Sequence, residues 1–208
     1  MPLIRKPSAS PSTTTPDGAQ ALSALVSGSE DERWSAARAA ASLPDGPKAL
    51  GRALEQEKST RVRLAIFTSL ARIGTAESVE LIIPFLRSDD ANLRTAALDA
   101  LRATRTTLGP HIQRLLKDGD ADVRLLACEL ARNLPVEEAS RMLCDLLETE
   151  PEANVCASAI EVLAEAGGPE ALPALARCRQ RFQGTAFLEF AIKITIERIR
   201  SQDSQQRA

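Results

Sequence analysis

One segment of this chain recurs with a period of about thirty residues, and that periodicity limits what the chain can fold into. The repeating pieces are ERWSAARAAASL (32 to 43), VRLAIFTSLARI (62 to 73), LRTAALDALRAT (93 to 104), VRLLACELARNL (123 to 134), VCASAIEVLAEA (155 to 166) and FLEFAIKITIER (187 to 198). With Arg33, Arg63, Arg94, Arg124, Cys156 and Leu188 taken as equivalent, the spacings are 30, 31, 30, 32 and 32. A shorter amphipathic segment precedes each, as in SVELIIPFL (78 to 86) and ASRMLCDLL (139 to 147). Punctuation falls between units at Pro44 to Pro47, Gly74, Gly109 with Pro110, Pro135, and Gly167 to Pro169. These are residues that end helices, so each unit reads as helix, tight turn, helix. Units of this size cannot bury their own apolar faces, so they must stack.

Composition agrees with that reading. Apolar residues make up 44% of the 208-residue chain while aromatics make up 3%, with one Trp and no Tyr. The core must therefore be Ala, Leu, Ile and Val, a palette that lets helices approach closely and fits all-α packing better than a β-sandwich. The expected fold is an all-α solenoid of about six helical hairpins over residues 17 to 200. The Pro/Ser/Thr-rich residues 1 to 16 and the polar residues 201 to 208 are expected to be disordered tails. Leu3, Ile4, Arg5 and Lys6 form a short candidate docking motif within the first tail.

Turn chemistry supports the hairpins. Asp89 and Asp90 precede LRTAAL, and Gly119 and Asp120 precede VRLLAC. A carboxylate there accepts the unpaired N–H groups of a helix start and meets the positive end of its dipole.

These motifs resemble the HEAT repeat family in its short bacterial form, the phycobilin-lyase-type HEAT-like repeat. The residues that carry the resemblance are Asp120, Val123, Arg124 and Ala127, and likewise Asp90, Leu93, Arg94, Ala96 and Ala97. The resemblance spans about residues 17 to 200 and implies an interaction surface more than a chemistry. It also implies that Arg33, Arg63, Arg94 and Arg124 form a structural ladder by contacting turn carboxylates of neighbouring repeats. Cys156 and Leu188 depart from the motif, so the ladder is expected to end before them.

Catalytic groups are scarce. The single histidine, His111, cannot build a metal site without a supporting cluster, which also argues against HEAT-type hydroxylases that bind iron through paired His-Glu motifs. Gly167 and Gly168 make a lone turn, not a phosphate loop. Cys128, Cys144, Cys156 and Cys178 are dispersed through helical segments and read as buried reduced thiols. With 26 Lys plus Arg against 28 Asp plus Glu and a net charge of −2, the chain has no field that would gather nucleic acid. No apolar run reaches the roughly 18 residues of a membrane helix, and no signal-peptide core is present, so the expected compartment is cytoplasmic. The chain is therefore read as non-catalytic, with no cofactor and no metal.

A partner protein remains, most simply a helix or peptide with basic residues held on the concave face. Counting from the motif Arg as zero, positions −1, +3 and +7 of a second helix point inward and positions +1 and +5 outward. The +1 column reads Trp34, Leu64, Thr95, Leu125, Ala157 and Glu189. The +5 column reads Arg38, Thr68, Asp99, Glu129, Glu161 and Lys193. The candidate protein-binding residues are Trp34, Arg38, Leu64, Thr68, Thr95, Asp99, Leu125, Glu129 and Glu161.

In the last repeat, Phe187, Phe190, Ala191 and Ile194 form one apolar face and Leu188, Ile192, Ile196 and Ile199 another. The second of these is the candidate oligomer contact, for a homodimer or a purely structural oligomer. The repeat type also allows an alternative role as a tetrapyrrole-binding subunit of the phycobilin-lyase kind.

Overall fold

A computed structural model describes residues 18–206, and the tail expected at 1 to 16, with its docking motif, lies outside the described residues. Twelve α-helices and no strand are found among the described residues. They pair into six hairpins. The first helices are α1 (Gly18–Ser27), α3 (Gly46–Gln56), α5 (Ala76–Ile82), α7 (Arg105–Leu115), α9 (Val136–Thr149) and α11 (Leu172–Arg181). The second helices are α2 (Glu30–Ala40), α4 (Thr60–Ile73), α6 (Ala91–Ala103), α8 (Ala121–Ala131), α10 (Ala153–Ala166) and α12 (Ala186–Gln206). A 3-10 turn, Ile83–Arg87, extends α5, and another, Pro169–Ala171, leads into α11. Each second helix packs beside the second helix of the next repeat, so the hairpins stack into one array. No helix among the described residues is long and apolar enough to cross a membrane.

The repeat register sets the core. Val62, Val123 and Val155 at −1 are fully or almost fully buried, as are Ile66, Ala97, Ala127 and Ala159 at +3 and Leu70, Leu101, Ala131 and Leu163 at +7. One continuous apolar cluster runs from α1 to α12. Ser29 caps α2 reciprocally with Glu32, Asp90 Oδ1 accepts the Asn92 N–H at 2.9 Å, and Asp120 Oδ1 accepts that of Asp122 at 2.9 Å. Gly74, at φ +64°, ends α4 in the left-handed region that a side chain would strain.

The motif arginines act as rivets. Arg33, Arg63, Arg94 and Arg124 each donate to a carbonyl of the turn before their own helix: Gly28 at 2.9 Å, Glu57 at 2.6 Å, Ser88 at 2.6 Å and Asp118 at 2.9 Å. Two of them also reach forward to the next repeat with both prongs. Arg33 holds Glu57 at 2.7 and 3.1 Å, and Arg124 holds Glu150 at 2.7 and 2.8 Å. Arg63 lies 4.0 Å from Asp90. The residue six before Arg63, Arg94, Arg124 and Cys156 has a second job, because its side chain folds forward onto the N–H two residues later. Glu57, Ser88, Asp118 and Glu150 accept from Ser59, Asp90, Asp120 and Glu152 respectively.

The ladder changes its chemistry where the motif does. Cys156 Sγ donates to the Glu150 carbonyl at 3.7 Å, and Arg181 at the end of α11 supplies a guanidinium to that carbonyl at 3.2 Å and to the Leu147 carbonyl at 2.7 Å.

Two sequence boundaries differ. The break expected at Gly109 with Pro110 falls inside a helix, since α7 begins at Arg105 and carries Pro110 within it. Leu108, Ile112 and Leu115 are buried at i, i+4 and i+7, and that shared burial holds the helix together across a residue with no N–H to donate. At the other end α12 continues to Gln206, so residues 201–206 of the expected polar tail are helical.

Glu57 and Glu150 are buried carboxylates. The Arg33 guanidinium holds the Glu57 carboxyl below its ordinary value of 4.5. Burial pushes Glu150 up, but Arg124, the Glu152 N–H and the charge of Arg181 outweigh it, leaving Glu150 low as well. A carboxylate held low in the folded state stabilises the fold above its unfolded value and loses that contribution as pH falls. Melting temperature should therefore drop as pH is lowered below 4.5. Glu150→Ala should cost about 3 kcal/mol in urea unfolding by stranding Arg124, whereas removing exposed Asp31 from its pair with Arg61 should cost under about 1 kcal/mol. Equal costs would remove the rivet.

Candidate functional site

The second helices present one continuous face. Trp34, Arg38, Leu64 and Thr68 line a groove of about 600 Å3 between α2 and α4, together with Arg61 and Arg72. Leu64, Thr68 and Arg72 also line the next depression, of about 590 Å3, which continues over Ala96, Asp99 and Ala103 of α6. The structure therefore brings together the N-terminal members of both predicted columns. Trp34 and Leu125 are half-buried against the core, Leu64 is 48% exposed, and Thr95 is exposed.

The polar members of the columns are already engaged. Thr68 and Thr95 donate their hydroxyls to the carbonyls four residues back, Leu64 at 2.8 Å and Ala91 at 2.9 Å. Arg102 holds Asp99 at 3.0 Å and Glu129 at 2.8 Å, and Arg132 holds Glu165 and lies 3.5 Å from Glu161. The acidic stripe expected to select basic residues is thus neutralised by arginines from its own helices. The Asp99–Arg102 pair lies within one helix, whereas the pairs of Arg102 with Glu129 and of Arg132 with Glu161 and Glu165 run sideways between repeats, where sequence columns cannot show them.

Arg61 and Arg72 were missed as groove residues. Arg61 precedes the motif arginine by two residues and Arg72 follows it by nine, outside both columns. The signal for Arg61 is the lone Trp34, whose ring centroid lies 5.0 Å from the Arg61 guanidinium and 4.7 Å from that of Arg38, while Arg72 reaches the same place through the Arg38 carbonyl.

The candidate oligomer contact requires correction. Leu188 and Ile192 are fully buried, Ile199 is 2% exposed and Ile196 is half-buried. This is the face with which α12 covers α10 and α11. Its burial pattern matches the earlier second helices one residue later than the sequence spacing assigns, with Leu188, Ile192 and Thr195 in the places of Val123, Ala127 and Leu130. Phe190 and Ile194 then occupy the +1 and +5 columns in place of Glu189 and Lys193, and Phe187 stands where Arg61 stands on α4. All three are exposed, at 67%, 45% and 52%.

The remaining titratable groups serve the stacking. His111 Nδ1 lies 3.1 Å from Glu80, which Arg114 also binds at 2.8 Å, joining α7 to α5. Among the described residues no group of three or more His, Cys, Asp or Glu side chains is placed to hold a metal ion. All four cysteines are free.

The model for HEAT repeats matches residues 18–102 and 110–182, well over half of the chain. The chain belongs to the HEAT repeat family. No characterised protein matches it significantly. Among solved structures, it is similar to an engineered protein at 20% identity, covering 89% of this chain and 97% of that one with a TM-score of 0.44. It is also similar to a designed armadillo repeat protein in complex with the peptide (KR)4, at 18% identity, 86% and 98% coverage and a TM-score of 0.46. The complex of CpcE and CpcF of phycocyanin lyase from Nostoc sp. PCC7120 is similar at 17% identity, 95% and 100% coverage and a TM-score of 0.40.

Burial pushes the Cys128 thiol up to about 12 and that of half-buried Cys144 up to about 11. Ellman's reagent should accordingly modify at most Cys144, slowly, in the native protein, and all four cysteines after denaturation. Rapid native reaction of two or more thiols would contradict the packing of α8, α10 and α11.

Proposed function

We propose that this HEAT-repeat protein is a non-catalytic scaffold that holds a partner protein, as a helix or peptide, along the face of its second helices. The observation that carries this reading is the placement of apolar side chains on the face of the second helices. Half-buried Trp34 and exposed Leu64 at one end and exposed Phe190 and Ile194 at the other lie in the same columns of that face. An apolar surface gathered this way is costly in water and is covered when a partner lies in the groove. Aromatic anchors at each end would set the partner's position, with the paired charges between them providing a polar floor. The non-catalytic character is supported by the state of the reactive groups, since the thiols are buried or half-buried and His111 is engaged with Glu80.

The double variant Trp34→Ala/Leu64→Ala should lose bound proteins in an affinity capture from the native cell extract while keeping its helical circular dichroism spectrum. Retention of the same proteins by wild type and variant would remove the scaffold reading. A second copy of the chain is the alternative occupant at the C-terminal end, favoured by exposed Phe187, Phe190 and Ile194. Light scattering that returns a monomer mass at micromolar concentration would exclude it.

A further inference from the structure

The N-terminal end of the groove has a charge character unlike the rest of its face. Its lining includes three arginines, Arg38, Arg61 and Arg72, and no carboxylate. Arg61 is partly spent at the rim, where it meets Asp31 at 2.5 Å and Glu30 at 3.9 Å. Arg38 and Arg72 make no ion pair among the described residues. Arg38 stands against the Trp34 ring, and Arg72 donates one N–H to the Arg38 carbonyl at 2.8 Å, which fixes both guanidinium groups beside the groove. Farther along the face, Arg102 and Arg132 are neutralised by four carboxylates. In a chain of net charge −2, two held and unpaired guanidinium groups beside an apolar floor are a local surplus that asks for a complement.

We propose that this end of the groove binds an acidic peptide segment, an inference that rests on the scaffold reading and names the chemistry of its partner. A large apolar side chain of the peptide lies against Trp34 and Leu64, and one or two of its Asp or Glu carboxylates pair with Arg38 and Arg72. A guanidinium stacked on an indole keeps the edge of its fork free, and that edge matches a carboxylate with two parallel hydrogen bonds. Single-stranded nucleic acid fits less well. It carries a charge at every nucleotide, and a strand following the groove would run onto Asp99, Glu129, Glu161 and Glu165. A peptide can place its carboxylates at one end only.

The test is selection of short random displayed peptides on the full chain, followed by fluorescence anisotropy with one synthetic peptide from the enriched set. Enriched peptides should carry Asp or Glu near a large apolar residue. Binding should weaken about tenfold or more in Arg38→Glu/Arg72→Glu, a loss of the size expected for a desolvated charge pair. It should weaken too as salt rises from about 0.05 to about 0.5 M. The charge-reversed variant, checked for its helical spectrum, should select basic peptides instead.

Enrichment of basic or uncharged peptides on the wild-type chain, or binding indifferent to the double reversal, overturns the acidic-peptide inference and leaves the scaffold reading standing. Tighter binding of an oligothymidylate than of the acidic peptide overturns it in favour of nucleic acid. Absence of any enrichment overturns it also, and the scaffold reading falls with it only if Trp34→Ala/Leu64→Ala retains the same captured proteins as wild type.

Discussion

Much of this structure depends on one hydrogen-bonding arrangement, the guanidinium of the second-helix arginine set against the turn that precedes it. A turn between two helices leaves carbonyls and N–H groups without helical partners, and stacking repeats closely denies them water. The motif arginine satisfies a carbonyl, in four repeats the side chain six residues before the motif position satisfies an N–H, and two of those side chains, Glu57 and Glu150, also bind the arginine of the preceding repeat. The interaction is therefore local and inter-repeat at once. Arrays of this kind are stabilised by each hairpin and by its contact with the next, and the Arg33–Glu57 and Arg124–Glu150 pairs belong to both.

What the sequence made legible follows from this arrangement. The hairpin count, the inward columns and the Asp90 and Asp120 caps could all be read because they repeat. The departures were hidden because they are singular. Pro110 looked like a boundary, and only the burial of Leu108 and Ile112 on either side explains why α7 continues through it. The last repeat carries no arginine at the motif position to fix its register, so its offset of one residue exchanged the inner and outer faces of α12. A helix rotates by about 100° per residue, and an error of one position is enough to turn a core stripe outward.

The electrostatics of the candidate site show a different limit. Asp99, Glu129 and Glu161 fall in an outward column, and a column records direction without recording neighbours. Arg102 near the end of α6 and Arg132 at the C-cap of α8 cross to these acids, reaching within one helix and from one repeat to the next. The same lateral logic leaves Arg38 and Arg72 unmatched, because in the +5 column α2 and α4 offer Arg38 and Thr68 where the next three second helices offer Asp99, Glu129 and Glu161.

The two ends of the array are where the repeating solution stops and where the surface becomes distinctive. Toward the C-terminus, Cys156 replaces the arginine and Arg181 reaches back from α11 to the carbonyl left behind, so the turn stays satisfied without the motif. On α12 the structural register puts Glu189 at the motif position, and its carboxylate accepts the Gly184 N–H at 3.0 Å. Among the described residues no helix packs on the outer side of α12, and the outward columns there carry exposed Phe187, Phe190 and Ile194. At the N-terminus the inter-repeat contact is made by Arg33 and Glu57, and the groove there keeps its tryptophan and its spare arginines. The face is consequently apolar and cationic at one end, internally neutralised in the middle and apolar at the other, an asymmetry that would fix the direction in which a bound chain lies.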